Sequence, residues 1–133
     1  MDSVIHFEMP ADDRKRISDF YSNVFGWKTE QLGEDMGNYV LVTTADTDDK
    51  GMIKQPGKIN GGFFQMSEEM PEQNVTSIVI EVSDIKKSIE LIENFGGKIL
   101  GEIMEIPKVG RFISFLDTEG NKVGIIQNFP SKQ

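Results

Sequence analysis

Apolar and polar residues along this chain follow one order that occurs twice. A short apolar run at residues 5–9 precedes residues 17–24, where apolar side chains recur at i, i+3, i+4 and i+7, the spacing of one helix face. Residues 78–82 and 85–95 repeat the same succession. A strand followed by an amphipathic helix is therefore predicted in each half.

The ends of both helices carry the residues that helices prefer there. Asp12 or Asp13 precedes the first helical pattern and Asp84 precedes the second, and Asp is a good N-cap. Gly26 and Gly96 follow the last apolar positions and supply the stops.

Three strand-like stretches follow each helix, so the repeated unit is βαβββ. We expect modules at about 1–66 and 75–129, joined by a linker at about 67–74, within one domain of 133 residues. Each module is too small to bury a core alone, so the two share one. The fold class is α+β: tandem modules form a curved mixed sheet, a cup with the helices outside. The six stretches are about 27–32, 38–44, 61–65, 98–106, 111–116 and 122–127.

The charge of the chain narrows its partners. Twenty-two acidic and 14 basic residues give a net charge of -8, which repels nucleic acid and anionic membranes. There is no cysteine, and no apolar run approaches the length of a membrane span. We expect a cytoplasmic protein that binds neither nucleic acid nor membrane.

Alternation along the first strand of each module defines a second face. Phe7 points with the apolar set toward the helix, which leaves His6 and Glu8 on the opposite face. The second module places Val79 and Glu81 there in the same way. The candidate site is the concave wall that these four residues form.

Several segments carry a resemblance to a known family, namely His6–Glu8 with Asp13, Phe20–Trp27, Val109–Phe112 and Leu116–Gln127. They resemble the vicinal oxygen chelate superfamily, which includes glyoxalase I, bleomycin-resistance proteins and extradiol dioxygenases. The chain is most similar to the branch described as predicted enzymes related to lactoylglutathione lyase. The resemblance implies the glyoxalase/bleomycin resistance/dihydroxybiphenyl dioxygenase-like fold and a homodimer.

The resemblance also implies where metal ligands would lie. Metal enzymes of the superfamily use His, Gln or Glu on the first and last strands of each module, and the matching positions are His6, Gly62, Val79 and Gly124. Only His6 has a donor side chain, whereas a transition metal needs about three protein ligands. We expect no metal, no cofactor and no glyoxalase I activity of the usual kind.

The remaining candidates divide between chemistry and binding. Glu8 and Glu81 form either a solvated part of the wall or a symmetry-related pair of carboxylates that holds a cation or acts as a base. Gly62 and Gly124 lack side chains and so leave space for a ligand, and the apolar residues beside them suit a small-molecule pocket. Arg111 is a candidate for binding an anionic group. The predicted ligand-binding residues are His6, Gly62, Phe64, Val79, Arg111, Gly124 and Ile126.

Three functions remain possible at this point. The preferred hypothesis is binding of a small organic molecule in the cup without a metal. The alternatives are a lyase or isomerase that uses Glu8 or Glu81 as a base, and an interaction module with a filled cup.

Overall fold

The computed structural model of the chain describes residues 1–130, and its elements confirm the α+β class with tandem βαβββ modules. The first module contains β1 (Val4–Ala11), α1 (Arg14–Phe25), β2 (Lys28–Gln31), β3 (Val40–Thr43) and β4 (Asn60–Gln65). The second contains β5 (Ser77–Glu81), α2 (Ile85–Asn94), β6 (Lys98–Ile106), β7 (Gly110–Leu116) and β8 (Lys122–Asn128). Short 3₁₀ turns lie at Glu34–Met36 and Pro71–Gln73.

The four strands of each module pair in the same way. In the first module the order is β2-β3-β4-β1, with β1 parallel to β4 and the other pairs antiparallel. In the second the order is β5-β8-β7-β6, with β5 parallel to β8. Both four-stranded arrangements are therefore mixed, because each helix carries the chain between strands that run parallel.

Aspartates begin both helices as the sequence predicts. Asp13 accepts a hydrogen bond from the backbone N–H of Arg16 at 3.0 Å, and Asp84 accepts one from that of Lys87 at 3.2 Å. Gly26 ends α1 with φ of 74°, a left-handed conformation that glycine adopts without strain. Of the two aspartates that could cap α1, the structure uses Asp13.

Apolar side chains on the helix-facing side of the strands form the two cores. Val40, Val42 and Phe63 are buried in the first module, with Tyr21 and Trp27 packed against them. The second core has buried aliphatic residues in place of aromatic ones, namely Val82, Ile85, Ile113 and Ile125. Burial of one such side chain contributes roughly 1.5–3 kcal/mol.

Corresponding residues of the two modules are separated by a different number of positions in the structure than in the sequence match. The helix caps Asp13 and Asp84 are 71 residues apart (84 − 13). In the strand ladders Glu8 pairs with Gly62, whereas Val79 pairs with Gly124. Val79 is therefore the counterpart of Glu8 in the second module, also at 71 residues (79 − 8). In the sequence, the apolar run at residues 5–9 matches the run at residues 78–82, which begins 73 residues later (78 − 5) and aligns Glu8 with Glu81 instead.

A long loop separates β3 from β4, as its acidic, glycine-bearing composition indicates. Asn60 fastens its two ends: the Asn60 Oδ1 atom accepts from the backbone N–H groups of Thr44 and Ala45, both at 2.9 Å. The Thr44 hydroxyl donates to the carbonyl of Ile59 at 2.7 Å. Within the loop, Thr47 and Ile53 form an isolated antiparallel bridge.

The chain separates into two compact units, one of residues 6–76 and the other of residues 1–5 with the segment from Ser77 onward. The first residues group with the later segment because the Ser3 carbonyl accepts from the Glu81 N–H at 3.0 Å. Neither α1 nor α2 is long and apolar enough to cross a membrane, and the part of the chain that the structure describes has no other helix that is.

Candidate functional site

One hydroxyl connects the two polar residues of β1. The Tyr39 Oη atom lies 2.8 Å from His6 Nε2 and donates to Glu8 Oε2 at 2.9 Å. Because its single hydrogen goes to the carboxylate, the Tyr39 oxygen accepts from His6, and Nε2 is the protonated nitrogen of that ring in this arrangement. His6, Tyr39 and Glu8 are partly buried and together form what we call the Tyr39 bridge.

The backbone around Tyr39 is held from two directions. Arg14, at the start of α1, donates from Nη1 to the carbonyl of Asn38 at 2.8 Å and to that of Leu32 at 3.3 Å. The Leu32 N–H donates to the Tyr39 carbonyl at 2.8 Å. Asn38 has a φ of 57°, a left-handed conformation that Asn tolerates better than most residues. The helix and the turn before β3 thus set the position of the phenol ring.

Gly62 makes room for that ring. It pairs with Glu8 in the ladder, and a Cβ atom added at Gly62 would overlap the Tyr39 hydroxyl. Glycine in a strand often marks close approach of another group, and here that group is the Tyr39 phenol. The sequence indicated that a missing side chain at this position leaves space for a ligand. The structure corrects this, because the chain fills the space itself.

Burial sets the protonation of the bridge. It lowers the pKa of His6 to about 4, since a charged imidazolium loses hydration there, and the ring is neutral at pH 7. Burial also raises the pKa of Tyr39, and the neighbouring Glu8 carboxylate raises it further by its charge and its hydrogen bond. Tyr39 therefore remains a phenol and a hydrogen-bond donor.

The second module repeats the glycine and the ring without the polar groups. A Cβ at Gly124 would lie 2.6 Å from the Phe112 ring and 3.5 Å from Val79. Val79 and Ile126 are only 3% and 8% exposed. Here too an aromatic ring of the chain occupies the place that the sequence left to a ligand.

Glu81 and Arg111 lie apart from that ring. Glu81 is exposed, pairs with Ile126 in the ladder and accepts a hydrogen bond from Asn128 Nδ2. Arg111 pairs with Gln127, whose Oε1 accepts from the Ile85 N–H at the start of α2. Alternation therefore puts Arg111 on the helix-facing side of β7, opposite to Phe112.

The structure brings together some of the predicted site residues within each module. His6, Glu8, Gly62 and Phe64 alternate onto one face of the first module, and Val79, Glu81, Gly124 and Ile126 onto one face of the second. Val79, and not Glu81, corresponds to Glu8 in the second module, and a functional pair of Glu8 with Glu81 stays a prediction. Sequence reasoning missed Tyr39. Gly37-Asn38-Tyr39 matches Gly110-Arg111-Phe112 in the repeat, and aromatic residues at matching positions are typical of a core. The Tyr39 hydroxyl was the available signal.

The residues around Gly62 do not fit a transition metal, which needs about three protein ligands. His6 and Glu8 are the donors near Gly62, and both are already hydrogen-bonded to Tyr39. Among residues 1–130 there is no group of three His, Cys, Asp or Glu side chains placed to hold a metal ion.

Comparison with known proteins gives concordant matches. The profile of the Glyoxalase/Bleomycin resistance protein/Dioxygenase superfamily matches residues 3–125. A glyoxylase-like domain-containing protein of Didymella fabae is 33% identical over 117 residues, which cover 86% of this chain and 84% of that protein.

Solved structures of methylmalonyl-CoA epimerase share the fold. A complex with methylmalonyl-CoA and NH₄⁺ superposes with a TM-score of 0.70 at 16% identity, covering 100% of this chain and 99% of that one. A Streptomyces coelicolor variant in complex with 2-nitronate-propionyl-CoA gives 0.69 at 15% identity, with coverage of 98% and 97%.

Proposed function

Because the chain belongs to the Glyoxalase/Bleomycin resistance protein/Dioxygenase superfamily, we propose that it binds a small organic molecule without a transition metal. The proposed site is on the first module, on the face of β1 that carries His6 and Glu8 and lies opposite to the helix-facing side chains. The observation that carries this proposal is the Tyr39 bridge, in which one phenol is hydrogen-bonded to both His6 and Glu8. Polar groups held in a fixed arrangement beside apolar surface are typical of small-molecule sites.

The surroundings of the bridge supply the apolar part of such a site. Leu41 pairs with Gly62, so it lies on the same face, and 41% of its surface is exposed. A ligand that covers Leu41 and the edge of the Tyr39 ring would gain apolar burial, while the bridge orients its polar groups. The neutral His6 ring adds no positive charge that would attract an anion.

A binding screen tests the proposal. Ligand-observed NMR against a library of small organic molecules should find compounds that bind the wild type and lose affinity for Tyr39→Phe and Glu8→Gln. Glu90→Gln is the matched control, because Glu90 is an exposed glutamate on α2 in the other module. Compounds that bind all four proteins equally, or none that bind the wild type, would contradict the proposal.

A second candidate is an isomerase or lyase that uses Glu8 as its base. Two observations favour it: Tyr39 donates to Glu8, and the fold is shared with methylmalonyl-CoA epimerase complexes. A carboxylate can take a proton from carbon beside a carbonyl group, and a phenol donor stabilises the ionised carboxylate. Incubating a bound compound in D₂O distinguishes the two functions. Exchange of a C–H hydrogen that Glu8→Gln abolishes supports catalysis, and its absence supports binding alone.

A further inference from the structure

The Tyr39 hydroxyl occupies the point on which the side chains of His6 and Glu8 converge, and imidazole and carboxylate are both groups that can bind a metal. His6 Nε2 and Glu8 Oε2 lie 2.8 and 2.9 Å from it, whereas a zinc ion would lie about 2.0–2.2 Å from a nitrogen or carboxylate oxygen. A shift of less than about 1 Å by each side chain would bring both within bonding distance of an ion at that point.

The position that would provide a third ligand faces the same point. Gly62 pairs with Glu8 across β1 and β4, and a Cβ at Gly62 would overlap the Tyr39 hydroxyl. A side chain at this position and the phenol of Tyr39 therefore exclude each other. Gly62 explains why a third metal ligand is missing. Tyr39 explains why no ion can lie between His6 and Glu8, because its hydroxyl occupies that point.

We propose that the Tyr39 hydroxyl is a built-in substitute for a cation, and that it closes a divalent metal site which the first module would otherwise be able to form. The phenol hydrogen satisfies the Glu8 carboxylate, and the phenol oxygen accepts from His6. In the absence of the phenol, the same two side chains would be the ligands of a metal ion. The second module has no counterpart of this arrangement, because Phe112 has no hydroxyl and Val79 lies where Glu8 would be.

The proposal predicts that metal binding can be produced by two substitutions. Tyr39→Ala combined with Gly62→His removes the phenol and adds a third donor beside His6 and Glu8. Tyr39→Ala with Gly62→Asp does the same with a shorter side chain, in case the imidazole overshoots the centre. We expect at least one of these variants to bind Co²⁺ stoichiometrically, with a visible absorption band that appears on titration.

Matched variants locate the ion. Adding His6→Ala to the binding variant should weaken Co²⁺ affinity by about 10-fold or more. Phe112→Ala with Gly124→His makes the equivalent change in the second module and should give no absorption band, because Val79 supplies no donor. Circular dichroism and thermal unfolding establish that each variant is folded.

Two outcomes would overturn the proposal. One is that both double variants fold and neither binds Co²⁺ more tightly than the wild type. The other is that the module-two variant binds it equally well. The test uses the metal alone, so its result is independent of whether an organic ligand is found for the wild type.

Discussion

At the scale of single residues, one phenol oxygen determines how two ionisable side chains coexist on β1. His6 and Glu8 are partly buried, and each would be costly to leave without a partner in that environment. Tyr39 is hydrogen-bonded to both. A tyrosine that looks like a core residue in the sequence is thus part of the polar chemistry of the first module.

Tyr39→Phe should lower the free energy of unfolding by about 1–3 kcal/mol, because it leaves a partly buried carboxylate without that donor. Urea denaturation of Tyr39→Phe, Glu8→Gln and the double variant forms a thermodynamic cycle. We expect the two changes to couple by more than about 0.5 kcal/mol, since the residues are in contact. Strict additivity would mean that the hydrogen bond contributes nothing to stability.

His6 should titrate near pH 4, because burial lowers its pKa from 6.5 to about 4. It is the one histidine of the chain, so its imidazole signals in a proton NMR titration need no assignment by mutation. The unfolded chain binds this proton more readily than the folded one, so acidification from about pH 6.5 to about 4 should favour unfolding. Above about pH 6.5 His6 contributes no pH dependence. A titration midpoint at 6.5 would show that the ring is solvated.

At the scale of elements, each helix begins at an aspartate that accepts from the third residue after it. Asp13→Ala and Asp84→Ala should each destabilise the fold by about 1 kcal/mol, since a backbone N–H loses its partner. Asp12→Ala is the control, because the exposed Asp12 takes part in the fold through its backbone carbonyl, which accepts from Gln65. Chemical denaturation that shows equal losses for Asp12→Ala and Asp13→Ala would contradict the assignment of the cap.

The elements also show why the sequence predicts strands and helices better than the site. Helical spacing and cap residues are local, so β6 matches its predicted range and α1 begins and ends as expected. Strand register determines which residue of the second module corresponds to Glu8. A shift of two residues changes that correspondence without disturbing the alternation of faces. The match between residues 5–9 and 78–82 therefore aligned Glu8 with Glu81, whereas the ladders make Val79 its counterpart.

At the scale of the whole molecule, the fold class follows from the sequence because the repeat constrains it twice. The site follows less well, because filling a gap beside a strand glycine depends on where a distant ring comes to lie. Tyr39 is 23 residues from Gly62 (62 − 39), and no local pattern links them. Superfamily membership predicts the fold. It does not predict that the rings of Tyr39 and Phe112 fill the space beside Gly62 and Gly124.

Assembly is the prediction that belongs to this scale. We expect a homodimer, because strand edges left bare invite association and the resemblance to the superfamily implies pairing. Several large apolar side chains that are at least half exposed agree with this expectation, among them Phe20, Phe25 and Phe95. Light scattering at micromolar concentration should give about twice the chain mass of 15.0 kDa. A mass of one chain across the concentration range would contradict it.

The fastening of the loop between β3 and β4 has a practical consequence for protein engineering. Asn60 and Thr44 lock the two ends of this segment, and Lys50 and Gly51 lie at its exposed tip. Lengthening a segment whose ends are already joined costs little entropy, because closure grows only slowly with chain length. An epitope tag or a fluorophore-binding peptide inserted at the tip would therefore leave strand pairing undisturbed. A reporter is therefore best inserted between Lys50 and Gly51, within the same module as the Tyr39 bridge.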